Sequence, residues 1–559
     1  MQKIWFRCLL LCLFLGCVKI AFATDYSDEV TIALKSRIAA SSKGQLMCTA
    51  KLRCSASLAL ITFYKQHQYK MAWIDNGELT PSAKTMFEIL RTAYTDGLNP
   101  YNYHIKQINS LISQLNTIDD DSRADILINL DLTLSDGFLL YANNLYYGMI
   151  DAKKMYPYWN NIKKPIDIVK QLELASVDPK ATIDELMPKY SGYAKLKAKL
   201  AEYQEVEANG GWSVVPSDDT LSLGASGDAV KMLRKRLFIS GELANLGGDK
   251  FDKELQQAVA QFQENNGVYD DGVVESETFA VLNVSAKTRV RQIEFNMDKM
   301  RLLPQDLGKD YLFVNLPAYS LNVVHDHEPI MTMDLAVGGS EHPSCVLNSK
   351  IQYLVLNPYW NIPYQIAESE IWASVKADPK YLKDKRVQVL KKDSNGNYKE
   401  IDVSGFNWNK MTAKQFNSYR YRQVPGEQNA LGKVKFMFPN ACGIYLHDTN
   451  ESQLFEVYAR DFSHGCIRVS QPLNLTTFIL NSQKQWSAKK VNDMFQNDVN
   501  KSVTLVKPFN LYIMYLTAFV GDDDWVKFRR DIYKFDKQLF NKYSGFMPRA
   551  QEKNNDDAE

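Results

Sequence analysis

The run Ser463-His464-Gly465-Cys466-Ile467-Arg468-Val469 is the most chemically informative stretch of the chain. A glycine ahead of a cysteine lets the backbone pass close to a bound substrate. The N–H groups of such a turn, at Gly465 and Cys466, are candidates to stabilise a developing oxyanion. Thiolate is the nucleophilic form of cysteine, so a site using Cys466 is expected to lower its pKa with a nearby imidazole or cation. His447 lies nineteen residues earlier, at the end of the strand-like Ile444-Tyr445-Leu446, and is followed by Asp448 and Thr449. A strand-end histidine facing a loop cysteine makes a nucleophile and base pair. Each residue also has a plainer reading. A cysteine in an exported protein is commonly half of a disulfide, and strand-end histidines are common without catalysis. Arg468 suits either a structural ion pair or the binding of a carboxylate through its planar fork. His325 and His327 form an H-x-H in a turn without further ligands at suitable spacing, so no metal site is expected.

The elements that must position these residues change character along the chain. From about residue 311 the pattern is strand-like: Tyr311 to Val324, Ile330 to Val337, Lys350 to Tyr359, Val434 to Phe438, Gly443 to Leu446 and Ser502 to Val520. A polar insertion rich in Tyr, Asn and Lys, at about 361–432, interrupts them as a lid or subdomain. Ahead of the strands, residues 218–285 predict a compact three-helix unit. There Leu255, Ala258, Val259 and Phe262 share one helix face behind a plausible N-cap at Asp252. Residues from about 58 to 205 are helical in pattern and carry no catalytic cluster. The expected fold class is multidomain α+β: a signal peptide (1–23), a helical scaffold domain (24–217), the three-helix unit (218–285), a linker helix (286–310), a mostly-β catalytic domain (311–510) and a C-terminal strand with a helical tail (511–559).

Composition bounds the partners. With 66 Lys and Arg against 65 Asp and Glu, the 559-residue chain has no basic footprint for nucleic acid. Lys3 and Arg7, the apolar Cys8 to Val18 and the small-x-small Ala21-Phe22-Ala23 read as a cleaved export signal. An uncleaved anchor and a lipoprotein site at Cys17 are the rival readings. Export leaves five cysteines (48, 54, 345, 442 and 466), an odd number that leaves at least one thiol free in an oxidising compartment. Cys48 and Cys54 are close enough in sequence to close a small loop. Cys345 and Cys442 either pair or stay reduced.

Taken together, His447-Asp448-Thr449 and Ser463-His464-Gly465-Cys466-Ile467-Arg468 resemble the signature of the L,D-transpeptidases, the YkuD-domain family. Asn357-Pro358-Tyr359-Trp360-Asn361 and Phe438-Pro439-Asn440 are similar to its large periplasmic branch. Phe262-Gln263 and Asp271-Gly272 resemble the peptidoglycan-binding domain 1 family. The resemblance covers most of residues 58 to 540. It implies that Cys466 attacks the diaminopimelate carbonyl of a tetrapeptide stem and expels D-alanine, with His447 as base and 3→3 cross-links as product. It implies oxyanion donors at Gly465 and Cys466, helped by Tyr445, and substrate contacts from Arg468, Ser463, His464, Tyr359 and Trp360. His464 is otherwise a loop-shaping residue or the runner-up base, and Tyr359 and Trp360 suit a core equally well. The insertion is implied to cap the substrate. Donor and acceptor stems, with other wall-synthesis proteins, are the implied partners; the location is the periplasm, no cofactor is implied, and carbapenems would acylate the same thiol. Where the branch commonly has Thr-Pro, this chain has Ser344-Cys345, which adds a thiol that pairing with Cys442 would occupy. An L,D-carboxypeptidase, a cross-link hydrolase and a non-catalytic wall-binding protein are the rival functions.

Overall fold

The computed structural model describes residues 26–41, 44–117, 120–160, 163–216, 219–481 and 483–543. The expected signal peptide lies outside them, as does the end of the expected tail. The chain divides into two compact units. The first comprises residues up to Arg91, Tyr101–Tyr141 and Asp167–Ile183. It is helical, built around α1 (Ser57–Gln66) and the long α2 (Asp120–Tyr147), with Tyr64, Trp73 and Phe138 fully buried. Asp131 and Ser135 share one side of α2, as residues four apart do. Asp131 accepts from the Trp73 N–H at 2.7 Å, and Ser135 accepts from the Trp73 indole at 2.9 Å. A disulfide joins Cys48 to Cys54.

The second unit holds everything from Asp184 onward, with Thr92–Pro100 and Ala142–Ile166. By contacts, the last part of the expected scaffold region (24–217) packs with this second unit. Helix α3 (Ser191–Ala208) buries Tyr193, Leu196 and Leu200 in the second unit's core, so its apolar stripe assigns it there. Next come α4 (Asp228–Ser240), α5 (Lys253–Asn266) and α6 (Ser276–Leu282). Asp252 caps α5 by accepting the Leu255 N–H at 2.9 Å. Gln263, buried at the end of α5, donates to the Val273 carbonyl at 2.7 Å and accepts the Gly272 N–H at 2.8 Å. One side chain thereby fastens the Asp271-Gly272 turn that the sequence singled out.

Helix α7 (Ala286–Met300) fills most of the expected linker helix over 286–310. Ile293, Met297 and Met300 join the core, and Glu294, Asp298 and Lys299 are buried with them. Buried charge is tolerable only when paired. Lys299 is paired with Asp536, and Asp298 meets Arg301 at 3.3 Å while accepting the Ile150 N–H at 2.8 Å. The helix is therefore built into the core along its length.

The strands that follow are β1 (Tyr311–Asn315), β2 (Ser320–His325), β3 (Glu328–Gly338), β4 (Leu347–Leu356), β5 (Trp360–Asn361), β6 (Val387–Lys392), β7 (Tyr398–Glu400), β8 (Arg420–Gln423), β9 (Val434–Met437), β10 (Leu446–His447), β11 (Asp461–Ser463), β12 (Ile467–Val469) and β13 (Lys501–Met514). Nine form one sheet in the order β11-β3-β12-β10-β9-β4-β13-β1-β2, and β2 also pairs with β3, closing the sheet on itself. The stretch expected as one strand over 311–324 is a hairpin, because Pro317 offers no N–H and Tyr319 turns with φ +51°. Strand β13 runs unbroken across residue 510, where the sequence reading cut the domain from its tail. Paired with both β4 and β1, it is an interior strand of the sheet. The insertion makes its own sheet, β5-β8-β6-β7, over an apolar core that includes Val375, Trp408 and Phe416.

Candidate active site

Register decides which side chains meet. In the parallel pair β10–β12, Leu446 aligns with Ile467 and His447 with Arg468; in the antiparallel pair β9–β10, Lys435 aligns with His447. Aligned residues project from the same face of a sheet. His447, Arg468 and Lys435 therefore share one face, and Tyr445 and Cys466, each two residues before an aligned partner, fall on it too. Leu446 and Ile467, both fully buried, take the opposite face into the core and hold the register.

Cys466 is the free cysteine among the described residues and is half-buried. The backbone N–H and the phenol of Tyr445 both act on its sulfur to favour the thiolate. Burial pushes the thiol up; the two Tyr445 donors and the Arg468 and Lys435 cations pull it down and do not prevail. Burial also keeps the Tyr445 phenol well above its usual range, so it remains a proton donor. His447 is buried, and its Nδ1 lies 2.5 Å from the Asp448 carbonyl oxygen. A carbonyl can only accept, so Nδ1 carries the proton and Nε2 is left with a lone pair. Burial lowers the imidazole to about 3, with the Arg468 and Lys435 charges in the same direction. Desolvation disfavours both charged forms, and among the described residues no carboxylate touches the ring to offset it, so both shifts run against a thiol made acidic in the free protein.

The loop before Cys466 is held from beneath. Gly465 adopts φ +105°. Its carbonyl accepts from the Ser344 hydroxyl at 2.7 Å, and the same hydroxyl accepts the Gly338 N–H at 2.9 Å. A side chain at Gly338 would place Cβ 3.0 Å from the Gly465 Cα, so the close passage of these two backbones requires glycine there. Ser463 donates to the Cys466 carbonyl at 2.6 Å and accepts the Gly465 N–H at 3.2 Å. The Gly465 N–H, expected among the oxyanion donors, is thus committed to Ser463, and Ser463, expected at the substrate, is buried in the turn.

The remaining residues lie further out. Arg468 meets Glu451 at 3.3 Å, while its buried Nε has no partner. His464 is half-exposed, stacks on His342 at 5.5 Å and meets Glu370 of the insertion at 3.2 Å. Trp360 pairs in β5 with Gln423 and packs against the insertion's core, which makes it a structural residue. Tyr359 is exposed under the Arg422 guanidinium, 4.6 Å from its ring centre.

Several functional neighbours escaped the sequence reading. Lys435 alternates with buried Val434 and Phe436, and a lysine at an otherwise apolar strand's open face was the available signal. Asp448 accepts the Lys433 and Thr449 N–H groups, both at 2.7 Å, and Gly432 leaves room for it: a Cβ there would lie 2.3 Å from the Asp448 carboxylate carbon. This buckle holds the carbonyl that fixes the His447 tautomer. A disulfide joins Cys345, which follows Ser344, to Cys442, three residues before Tyr445.

Comparison with known proteins agrees with this geometry. Residues 309–493 match the model of the L,D-transpeptidase catalytic domain. The chain carries an L,D-transpeptidase catalytic domain. Residues 59–200 match a scaffold domain, and 226–282 match the model described as "Putative peptidoglycan binding domain". The multidomain α+β architecture is thus a helical scaffold, a peptidoglycan-binding unit and a β-rich L,D-transpeptidase domain. A protein of Haemophilus influenzae (strain Rd) named "Putative L,D-transpeptidase" is 29% identical over 249 residues, 44% of this chain and 49% of the relative. The match therefore spans about half the relative's length. Solved L,D-transpeptidases from Stackebrandtia nassauensis (14% identity, 54% of this chain and 97% of that one, TM-score 0.21) and Xylanimonas cellulosilytica (13%, 53% and 98%, TM-score 0.17) also match. At such scores they add nothing to the functional argument.

Proposed function

We propose that this L,D-transpeptidase domain forms 3→3 cross-links between peptidoglycan stems through a thioester on Cys466. The observation carrying this reading is the shared sheet face of Tyr445, His447 and Cys466, with Nδ1 of His447 tied to a carbonyl so that Nε2 is the open base. As Sγ bonds to the diaminopimelate carbonyl carbon of a donor tetrapeptide, its proton passes to Nε2. The Cys466 N–H and Tyr445 steady the oxyanion. Collapse breaks the C–N bond to D-alanine, and the proton held on Nε2 leaves with that amine. The side-chain amine of an acceptor stem then attacks the thioester, Nε2 takes its proton, the C–S bond breaks and the proton returns to sulfur. A neutral pair suits this sequence, since the proton moves only as the new bond forms. The buried, unpartnered Arg468 Nε supports a role in holding a stem carboxylate. Peptidoglycan as substrate agrees with the matched binding unit and with a periplasmic, wall-associated location. No helix among the described residues is long and apolar enough to cross a membrane.

Mass spectrometry of muropeptides incubated with the purified protein and with Cys466→Ala tests the reading. The expected result is 3→3 dimer and free D-alanine from the first alone. Equal dimer yields refute it, and free tripeptide without dimer replaces the transferase with an L,D-carboxypeptidase. Loss of thiol labelling after carbapenem treatment, measured on the intact chain, checks that Cys466 accepts an acyl group.

A further inference from the structure

A second cavity, of about 170 Å³, lies between residues 264–270 of the peptidoglycan-binding unit and the catalytic domain. Tyr319, Tyr458, Arg460, Arg529 and Arg530 line it. Two of the guanidiniums are anchored by carboxylates: Arg460 to Asp334 at 2.7 Å and Arg530 to Asp461 at 2.9 Å. Arg529 is different. Its Nη1 donates to the carbonyl oxygens of Glu264, Asn265 and Phe528 at 3.2, 3.1 and 2.9 Å, so among the described residues no carboxylate pairs with it. Glu264, on the same wall, is taken by Lys527 at 3.0 Å. All three arginines act electrostatically on the Tyr458 phenol, Arg529 most strongly, with Asp270 opposing them. Gly267, at φ +64°, keeps the space open: a Cβ there would sit 2.9 Å from Arg529 Cδ and 3.0 Å from the Tyr458 hydroxyl.

Convergent guanidiniums and a phenol around a small opening recognise a carboxylate, and a desolvated cation with no carboxylate in ion-pair contact, though Glu264 and Asp523 act on it from further off, strengthens the attraction. We propose that this cavity is a carboxylate subsite for the anionic end of a peptidoglycan stem, apart from the sheet face that carries Cys466. The source is peptidoglycan because a wall-binding unit forms one wall and a stem-processing domain the other, so the inference rests on the function proposed above. Asp461, which holds both Arg530 and the Tyr319 hydroxyl, opens β11, the strand leading to His464-Gly465-Cys466. A stem seated here is tethered next to the backbone that carries the nucleophile.

The test uses the full chain with Cys466 blocked by iodoacetamide, titrated calorimetrically with a soluble disaccharide tetrapeptide. The double variant Arg530→Gln/Tyr458→Phe is expected to bind about tenfold more weakly, and the same stem with amidated carboxyls to bind the parent no better than that. Gly267→Ala, which narrows the opening without removing a charge, is expected to weaken binding as well. Parent-like affinity in both the double variant and Gly267→Ala overturns the subsite, as does equal affinity for free and amidated stems. Failure of the unblocked chain to turn over stems instead overturns the acyl-transfer reading, so the two failures are distinct.

Discussion

Two histidines, one in each compact unit, have a ring nitrogen occupied, and the nature of the partner separates architecture from chemistry. His104 of the helical unit places Nε2 2.8 Å from the Asp136 carboxylate, which also accepts the Ser55 and Ala56 N–H groups. By residue type it is the more obvious catalytic dyad. Yet the described cysteines of that unit are joined to each other, and the neighbouring Tyr64, Trp73, Asp131 and Ser135 use their polar atoms on one another. At His447 the partner is a carbonyl, which fixes the tautomer and leaves Nε2, the Cys466 sulfur and the Arg468 Nε with capacity to spare. A satisfied network locks a fold, while a reactive one is recognised by what it leaves unfilled.

Exchanging the two histidines in turn tests this contrast most severely. His447→Gln is expected to lower the rate of dimer formation by about 10²–10⁴-fold, the usual worth of a positioned base. His104→Gln is expected to leave that rate unchanged and to lower the melting temperature of the helical unit. A comparable loss of turnover from both variants breaks the distinction.

The pH behaviour follows from the directions of the shifts. With His447 near 3 and Cys466 pushed above its ordinary range, the free protein holds a neutral pair from about pH 5 to 8. Iodoacetamide labelling of Cys466 is therefore expected to quicken about tenfold per pH unit across that interval, as thiolate is drawn from a poorly acidic thiol. A flat rate from pH 5 upward, the mark of a thiolate–imidazolium pair, contradicts it.

The helical unit carries the opposite kind of dependence. Burial raises Asp131 from 3.8 to about 6, against hydrogen bonds from Tyr64, Trp73 and Ala72 that pull it down. A raised folded-state pKa gives stability that is complete below the unfolded value and is lost as pH rises through the folded one. The contribution, about 3 kcal/mol, is expected to disappear between pH about 4 and about 6. Tryptophan fluorescence melts of the full chain, which include buried Trp73, measure it. Stability that rises over that window overturns the sign.

What could be read from the residues divides along physical lines. Cys466, His447 and the Phe262–Gln263 and Asp271–Gly272 pairs were legible because local chemistry and spacing define them. The L,D-transpeptidase and peptidoglycan-binding character followed from those motifs. Ser344 and Lys435 were not legible as neighbours of the site, since the fold brings them there from distant sequence and nothing in a single strand states its partner; Asp448 was visible beside His447, but its hold on the Lys433 N–H was not. The same limit hid how α3 and α7 pack. A helix rich in charge reads as a solvated linker until its counter-charges, such as Asp536 for Lys299, are found more than two hundred residues away. The thiol's electrostatics were hidden for a related reason: composition shows which charges exist, and burial decides which of them can be sustained.

The smallest expected effect concerns the joint between the insertion and the nucleophile loop. Glu370, on the insertion, reaches His464, two residues before Cys466, at 3.2 Å, and both side chains are about half exposed (52% and 46%). Exposed pairs of this kind contribute about 0–1 kcal/mol, so the contact is a weak latch rather than a fastening. The insertion's own core and the buried amides of Gln423 and Asn429, which bond to the Lys385, Gln428 and Pro358 carbonyls, hold its shape without it. Glu370→Gln is accordingly expected to shift KM for stems by no more than about fivefold, in line with that energy, and to leave kcat within about twofold. The His464→Gln change should give the same result, and the double variant no more than either alone, because one contact is being removed twice. A large fall in kcat from His464→Gln with Glu370→Gln silent would make His464 a participant in proton transfer, and His447 would lose its place as the sole base.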